Sequence, residues 1–156
     1  MSTLASPSTR LPLAQLRELC AAYATDPRRW DAVLEYGADE HGSVRLHADS
    51  SHDVWLISWL QSQSTTLHDH GGSSGAFSVV SGRLHEYAPG GHERVVTAGG
   101  LRSFGPRHVH DVYNPYPSPA VSVHVYSPPL TLMSYYDEAP AGGVELVRTE
   151  IHSLLS

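Results

Sequence analysis

Apolar positions change their period once along this chain. Over the first forty residues they recur every three to four, with Leu13, Leu16, Leu19, Cys20 and Tyr23 on one side of a helical wheel and Pro12 near the start. Asp26-Pro27 then opens a second short helix, around Arg28 to Glu35, which carries Trp30, Val33 and Leu34 toward a core and ends near Gly37. From about residue 43 the runs shorten and alternate: SVRLHA, DVWLISWL, GAFSVVSG, RLHEYA, ERVVTA, AVSVHVYS and VELVRTEI. Turn residues punctuate them at Ser50-Ser51, Gly71-Gly72, Pro89-Gly90-Gly91, Gly99-Gly100 and Pro115 to Pro119. Many short strands separated by Gly and Pro predict a closed antiparallel structure, a jelly roll or barrel. The expected fold is mainly β, one domain over 1–156, with a helical segment at about 10–37 and the barrel at about 43–152.

Composition narrows the class. A chain of 156 residues can bury a self-sufficient core. Its net charge of -6, with only 10 Lys plus Arg, argues against a nucleic-acid surface and favours small-molecule chemistry. The single cysteine, Cys20, cannot form an intramolecular disulfide and reads as a small buried hydrophobe. The opening MSTLASPSTR lacks the charged-then-apolar layout of a leader, and no apolar run approaches the ~20 residues needed to cross a bilayer. A cytoplasmic, monomeric protein without nucleic-acid or membrane partners is expected. Trp55 and Trp59 share one strand face and read as core.

Histidines carry the candidate chemistry. His68 and His70 flank Asp69 in TTLHDHGGSSGAFSVVSG, and in an extended strand they point one way while Asp69 points the other. Two inward imidazoles each need a partner in a dry barrel, and one cation satisfies both. A solvated surface pair is the alternative for a bare HxH. His110, in GPRHVHDVYN, is a third donor, with His108 two residues away as its competitor. In SVHVYSPP, Val121, Val123 and Val125 take one face while Ser122, His124 and Tyr126 take the other. That polar column fits either a wet outer face or an inward array in which His124 orients Tyr126 and Tyr126 offers a proton to a bound ligand.

HDH, Gly75 five residues after its second His, the third His in HDVYN, and SVHVYSPP together resemble the cysteine dioxygenase family of cupins, over about residues 43–130. The resemblance implies a single cupin barrel binding Fe(II) and adding both atoms of O2 to the sulfur of a small thiol, with L-cysteine to cysteine sulfinic acid as first choice. Dioxygenation of 3-mercaptopropionate or another thiol metabolite is the alternative; a non-catalytic metal- or metabolite-binding cupin is the alternative from another class.

The same resemblance implies His68, His70 and His110 as ligands; His110 keeps the cupin spacing to Asn114 that His108 would break. The general cupin pattern places a Glu ligand after its HxH; here that slot falls at Ser74 or Gly75, and Gly82 matches the later Gly, so the carboxylate is missing. Three neutral imidazoles leave the ion its full charge and up to three open positions, which suits a thiolate. Tyr126, His124 and Ser122 match the family's catalytic string, and Arg45 its anchor for the substrate carboxylate, where mercaptopropionate-preferring relatives carry Gln. Met133 and His108 are possible pocket residues. Animal members bond a Cys at the Gly75 position to the Tyr at the Tyr126 position; Gly75 cannot form that thioether, so Tyr126 is expected to be an unmodified phenol.

Overall fold

The computed structural model describes residues 10–151. The leader reading of residues 1–9 and the end of the barrel at 152 lie outside the described residues. Helix α1 (Leu13–Ala24) and two 3-10 turns, Pro27–Arg29 and Asp31–Val33, precede ten strands. These are β1 (Gly42–Ala48), β2 (Asp53–Trp59), β3 (Ser74–Ser81), β4 (Arg83–Ala88), β5 (His92–Thr97), β6 (Leu101–Phe104), β7 (Asp111–Tyr113), β8 (Ala120–Ser127), β9 (Leu132–Glu138) and β10 (Val144–Ile151). Among the described residues, no helix is long and apolar enough to cross a membrane.

One sheet runs β1-β2-β8-β3-β6, a second β5-β4-β7, and a third pairs β10 with β9. The stretch after β2 joins the last two: Ser64 bridges Tyr113, and His68 bridges both His110 and Tyr135. The HDH segment is therefore extended without being a regular strand, wedged between β7 and β9.

Register across the large sheet sorts its residues into two faces. Asp53, Trp55 and Ile57 of β2 stand opposite Tyr126, His124 and Ser122 of β8, which stand opposite Gly75, Phe77 and Val79 of β3. Directly paired residues share a face, so this row set looks into the barrel. Val54, Leu56, Val121, Val123 and Val125 take the other face and pack under α1 through Leu16 and Cys20. Helix α1 thus seals the outside of the sheet, which is why β8 is buried on both faces. The wet-face alternative for Ser122, His124 and Tyr126 is overturned by that helix.

Three details differ from the sequence reading. The second helix is two 3-10 turns: Trp30 leaves helical geometry at φ -146° and ψ -15°, turning its indole N–H onto the Tyr23 carbonyl at 3.0 Å. Val33 is consequently 44% exposed rather than core, as is Leu13 at 40%. Strands β6, β7 and β9 carry no clear signal in the sequence, the first two because they span only four and three residues, and β9 because LMSYYDE does not alternate.

Candidate active site

Between the sheets lies a cavity of about 110 Å³, walled by Trp55, Ile57, His124 and Tyr126 on one side and Thr65, His68, His110, Val112, Met133 and Tyr135 on the other. His68, His70 and His110 are all at most 2% exposed, and one ring nitrogen from each lies within 4.8 Å of the others. The Nε2 atoms of His68 and His70 are 3.1 Å apart. Asp69, between them, points outward as expected, accepting hydrogen bonds from Ser134 N and the Tyr136 hydroxyl and so tying the segment to β9.

Each ring is oriented by a different device. His68 donates Nδ1–H to the Thr66 carbonyl at 2.9 Å. Thr66 holds φ at +60°, a left-handed conformation that costs a β-branched residue on the order of 1–3 kcal/mol and here turns that carbonyl toward the ring. His110 donates Nδ1–H to Glu86 Oε2 at 2.7 Å. Among the described residues nothing pairs with His70 Nδ1, and this ring is held by stacking on Phe104 (centroids 4.6 Å) and Tyr126 (5.2 Å). The two hydrogen bonds assign the tautomers that leave the Nε2 lone pairs of His68 and His110 facing inward.

Burial first, then the neighbouring imidazoles, depresses the pKa of His68 and His70 far below the usual histidine value. Burial lowers His110 too, although the Glu86 carboxylate opposes it. Adding a second proton to these rings is therefore unfavourable, and the clustered donor set fits a metal ion.

His108 lies outside this convergence. It is half-buried, stacked on Phe104, and its Nε2 meets Glu86 Oε2 at 3.1 Å. Glu86 also accepts from Arg102 Nε at 2.9 Å on its other oxygen. Burial alone would raise the Glu86 pKa, but the hydrogen bonds from His108, His110 and Arg102 hold it well below the carboxylate range.

The polar column forms a continuous chain. Trp59 Nε1–H donates to Ser122 Oγ at 2.9 Å, Ser122 Oγ meets His124 Nε2 at 2.8 Å, and His124 Nδ1 meets the Tyr126 hydroxyl at 3.3 Å. Ser122 Oγ accepts from the indole, and among the described residues its own proton meets no acceptor except His124 Nε2, which leaves His124 to donate from Nδ1 to Tyr126. The Tyr126 proton is left free to point into the cavity. Burial pushes the Tyr126 phenol further above its usual value and drops His124 to about 3, so both stay neutral.

The remaining expected residues divide. Met133 lines the cavity. Arg45 is opposite Trp55, and its neighbour Ser43 opposite Ile57, so Arg45 shares the cavity-facing side of β1. Its guanidinium lies over the Trp55 ring, 5.7 Å from the ring centre, and does not line the cavity. Gly75 sits between Tyr126 and Phe104 in register, and a Cβ there would fall 2.5 Å from Phe104 Cζ and 3.0 Å from Tyr126 Cδ1. The absent thioether thus has a steric counterpart: Phe104 fills the space a longer side chain would need.

A family model for cysteine dioxygenase type I matches residues 10–139. The chain belongs to the cysteine dioxygenase type I family. Solved structures share its architecture. A protein from Thermus thermophilus aligns at TM-score 0.59 and 19% identity, over 64% of this chain and 93% of its own. A Klebsiella pneumoniae protein with a double-stranded β-helix domain gives 0.59 and 19%, over 76% and 93%. A cupin-superfamily sugar phosphate isomerase from Silicibacter pomeroyi gives 0.56 and 21%, over 70% and 77%. Identities this low establish the fold, a cupin. This member of the cysteine dioxygenase family is accordingly a cupin of the thiol dioxygenase type, with a histidine triad able to hold a metal.

Sequence reasoning missed several residues that build this dioxygenase-family site. Glu86 had a usable signal: alternation in RLHEYA places it on the same inward face as buried Leu84. Phe104 and Tyr135 lie on strands without a clear pattern. His41 lines the cavity with its Nδ1 unpartnered among the described residues, and nothing local announced it. Trp59 is core, as expected, and also heads the hydrogen-bonded chain.

Proposed function

We propose that this protein is a mononuclear non-haem Fe(II) thiol dioxygenase, converting a small thiol and O2 to the sulfinic acid (RSH + O2 → RSO2H), with L-cysteine as first-choice substrate. The observation that carries the reading is the convergence of three buried imidazoles on one another, with His68 and His110 lining the cavity that Tyr126 also lines. His68, His70 and His110 would hold the iron, which when bound supplies the redox chemistry and favours the thiolate form of a thiol ligand.

The protein's part is positioning, exclusion of water and proton placement. Trp55, Ile57, Val112, Leu130 and Met133 give the cavity apolar walls. At about 110 Å³ it is smaller than the ~150 Å³ void that admits benzene, which restricts the enclosed portion of a substrate to a handful of heavy atoms. Tyr126, steered by His124 and Ser122, presents an O–H that can hydrogen-bond a polar atom of the substrate or of oxygen. Arg45 does not line the enclosed cavity, so it would anchor only a carboxylate on a substrate that extends past Trp55, where its planar fork suits such a group.

A second reading, 3-mercaptopropionate, is favoured by one feature: no Asp or Glu among the described residues lines the cavity to receive a substrate ammonium. Anaerobic loading with Fe(II), followed by oxygen and a panel of thiols, tests both, with oxygen uptake and product mass measured together. Sulfinate from cysteine supports the first reading. A tenfold or greater preference for mercaptopropionate, about 1.4 kcal/mol of selectivity, transfers the assignment to the second, and sulfinate from no thiol ends both.

A further inference from the structure

We infer that Glu86 is a positioning residue that tunes the metal centre through His110, supplying from the outer shell the negative charge that the triad itself lacks. This rests on the reading of His68, His70 and His110 as metal ligands. The three rings are not equivalent. His68 is oriented by a neutral carbonyl and His70 by stacking alone, whereas His110 donates to a carboxylate at 2.7 Å. A charged acceptor makes that N–H bond stronger than the others, raises the donor strength of the opposite nitrogen, and fixes the ring's rotation.

Glu86 is itself immobilised. It faces inward from β4 at 4% exposure, with one oxygen bound by Arg102 and the other shared by His108 and His110. Arg94 approaches the first oxygen at 4.0 Å. A carboxylate placed directly on the ion would occupy a position that a thiolate and oxygen need. Placed one residue further out, it lowers the effective charge of the site and leaves those positions open. Arg102, partly exposed, draws on the same carboxylate through its other oxygen, so the negative charge that Glu86 offers His110 is shared with a residue that reaches solvent.

Two variants with opposite expected signs test this on anaerobically loaded full-length protein. In Glu86→Gln the neutral amide weakens the pull on His110, and Fe(II) affinity by chelator competition falls roughly 10- to 100-fold. The Fe(III)/Fe(II) midpoint potential shifts positive because the ferric form loses its nearest anion. In Arg102→Gln the carboxylate loses a competitor, and the potential shifts negative while thermal stability changes little. With Co(II) in place of iron, the exchangeable, paramagnetically shifted His110 N–H resonance moves in both variants. A merely structural role for Glu86 would lower stability in Glu86→Gln without moving the potential, and would give no opposite shift in Arg102→Gln. Should Glu86→Gln not fold, the Arg102→Gln potential and the His110 resonance still decide. Wild-type affinity and an unshifted potential in Glu86→Gln overturn the inference while leaving the functional reading standing; failure of the wild type to load iron sinks that reading instead.

Discussion

Gly75→Ala is the sharpest probe of how the barrel wall supports the triad. The added Cβ would meet Phe104 at 2.5 and 2.7 Å, separations that real side chains do not sustain, and would crowd Tyr126 at 3.0 Å. Phe104 cannot simply turn away, since it is 6% exposed and stacked on both His70 and His108. Relief therefore moves a ring that positions a proposed ligand. Overpacking of this kind costs about 1–3 kcal/mol, and each kcal/mol lowers Tm by roughly 2–4 °C at this chain length. The expected result is a Tm lower by roughly 2–12 °C on the apo protein, together with weaker Fe(II) binding. Phe104→Leu in the Gly75→Ala background removes the collision and recovers part of the stability. For the same reason Gly75→Cys, loaded with iron and turned over, keeps its unmodified mass instead of losing the two hydrogens a thioether would cost. A Gly75→Ala protein with wild-type Tm and wild-type iron affinity would refute the reasoning.

Other outcomes follow from the site. His110→Ala lowers iron affinity by more than the roughly 10- to 100-fold typical of outer-shell changes, whereas His108→Ala stays within that range; chelator competition distinguishes them, and the reverse order would exchange their roles. Tyr126→Phe retains iron but loses turnover by roughly 10²-fold, the low end for a lost proton donor; an unchanged rate would remove Tyr126 from the mechanism. Acid stability of the metal-free protein has a defined sign. His68, His70, His110 and His124 have folded pKa values below the unfolded value of 6.5, so the unfolded chain binds more protons and stability falls as pH drops below about 6.5, toward about 3 for His124. Asp53, raised to about 6 by burial, opposes this with one proton. Each histidine contributes up to about 1.4 kcal/mol per pH unit, so urea midpoints should decline steeply between about pH 6.5 and 4.5; a flat profile there would contradict the burial of neutral imidazoles.

Local chemistry made much of the site readable in advance. The HDH spacing holds because an extended backbone alternates its side chains whether or not it sits in a regular strand, so His68 and His70 turn together while Asp69 turns out. The resemblance to the cupin pattern favoured His110 over His108 through the interval to Asn114, and Asn114 is fully buried, donating to Trp59 O and Ser118 O. Gly82, matched to the cupin pattern, takes φ +73° where a Cβ would strike the Pro119 carbonyl.

What sequence by itself determined was therefore the mainly β class, the polar-apolar alternation of each strand, and the short-range spacing of the candidate ligands, because periodicity and turn chemistry act over a few residues. Which face of β8 became interior was decided only when α1, about a hundred residues earlier, covered Val121, Val123 and Val125 and left Ser122, His124 and Tyr126 to the cavity side. Glu86 behind His110, Phe104 against Gly75 and the placement of Arg45 beside Trp55 likewise come from cross-strand register. Register depends on pairing between distant segments, and no local pattern encodes the partner a side chain will meet across a sheet.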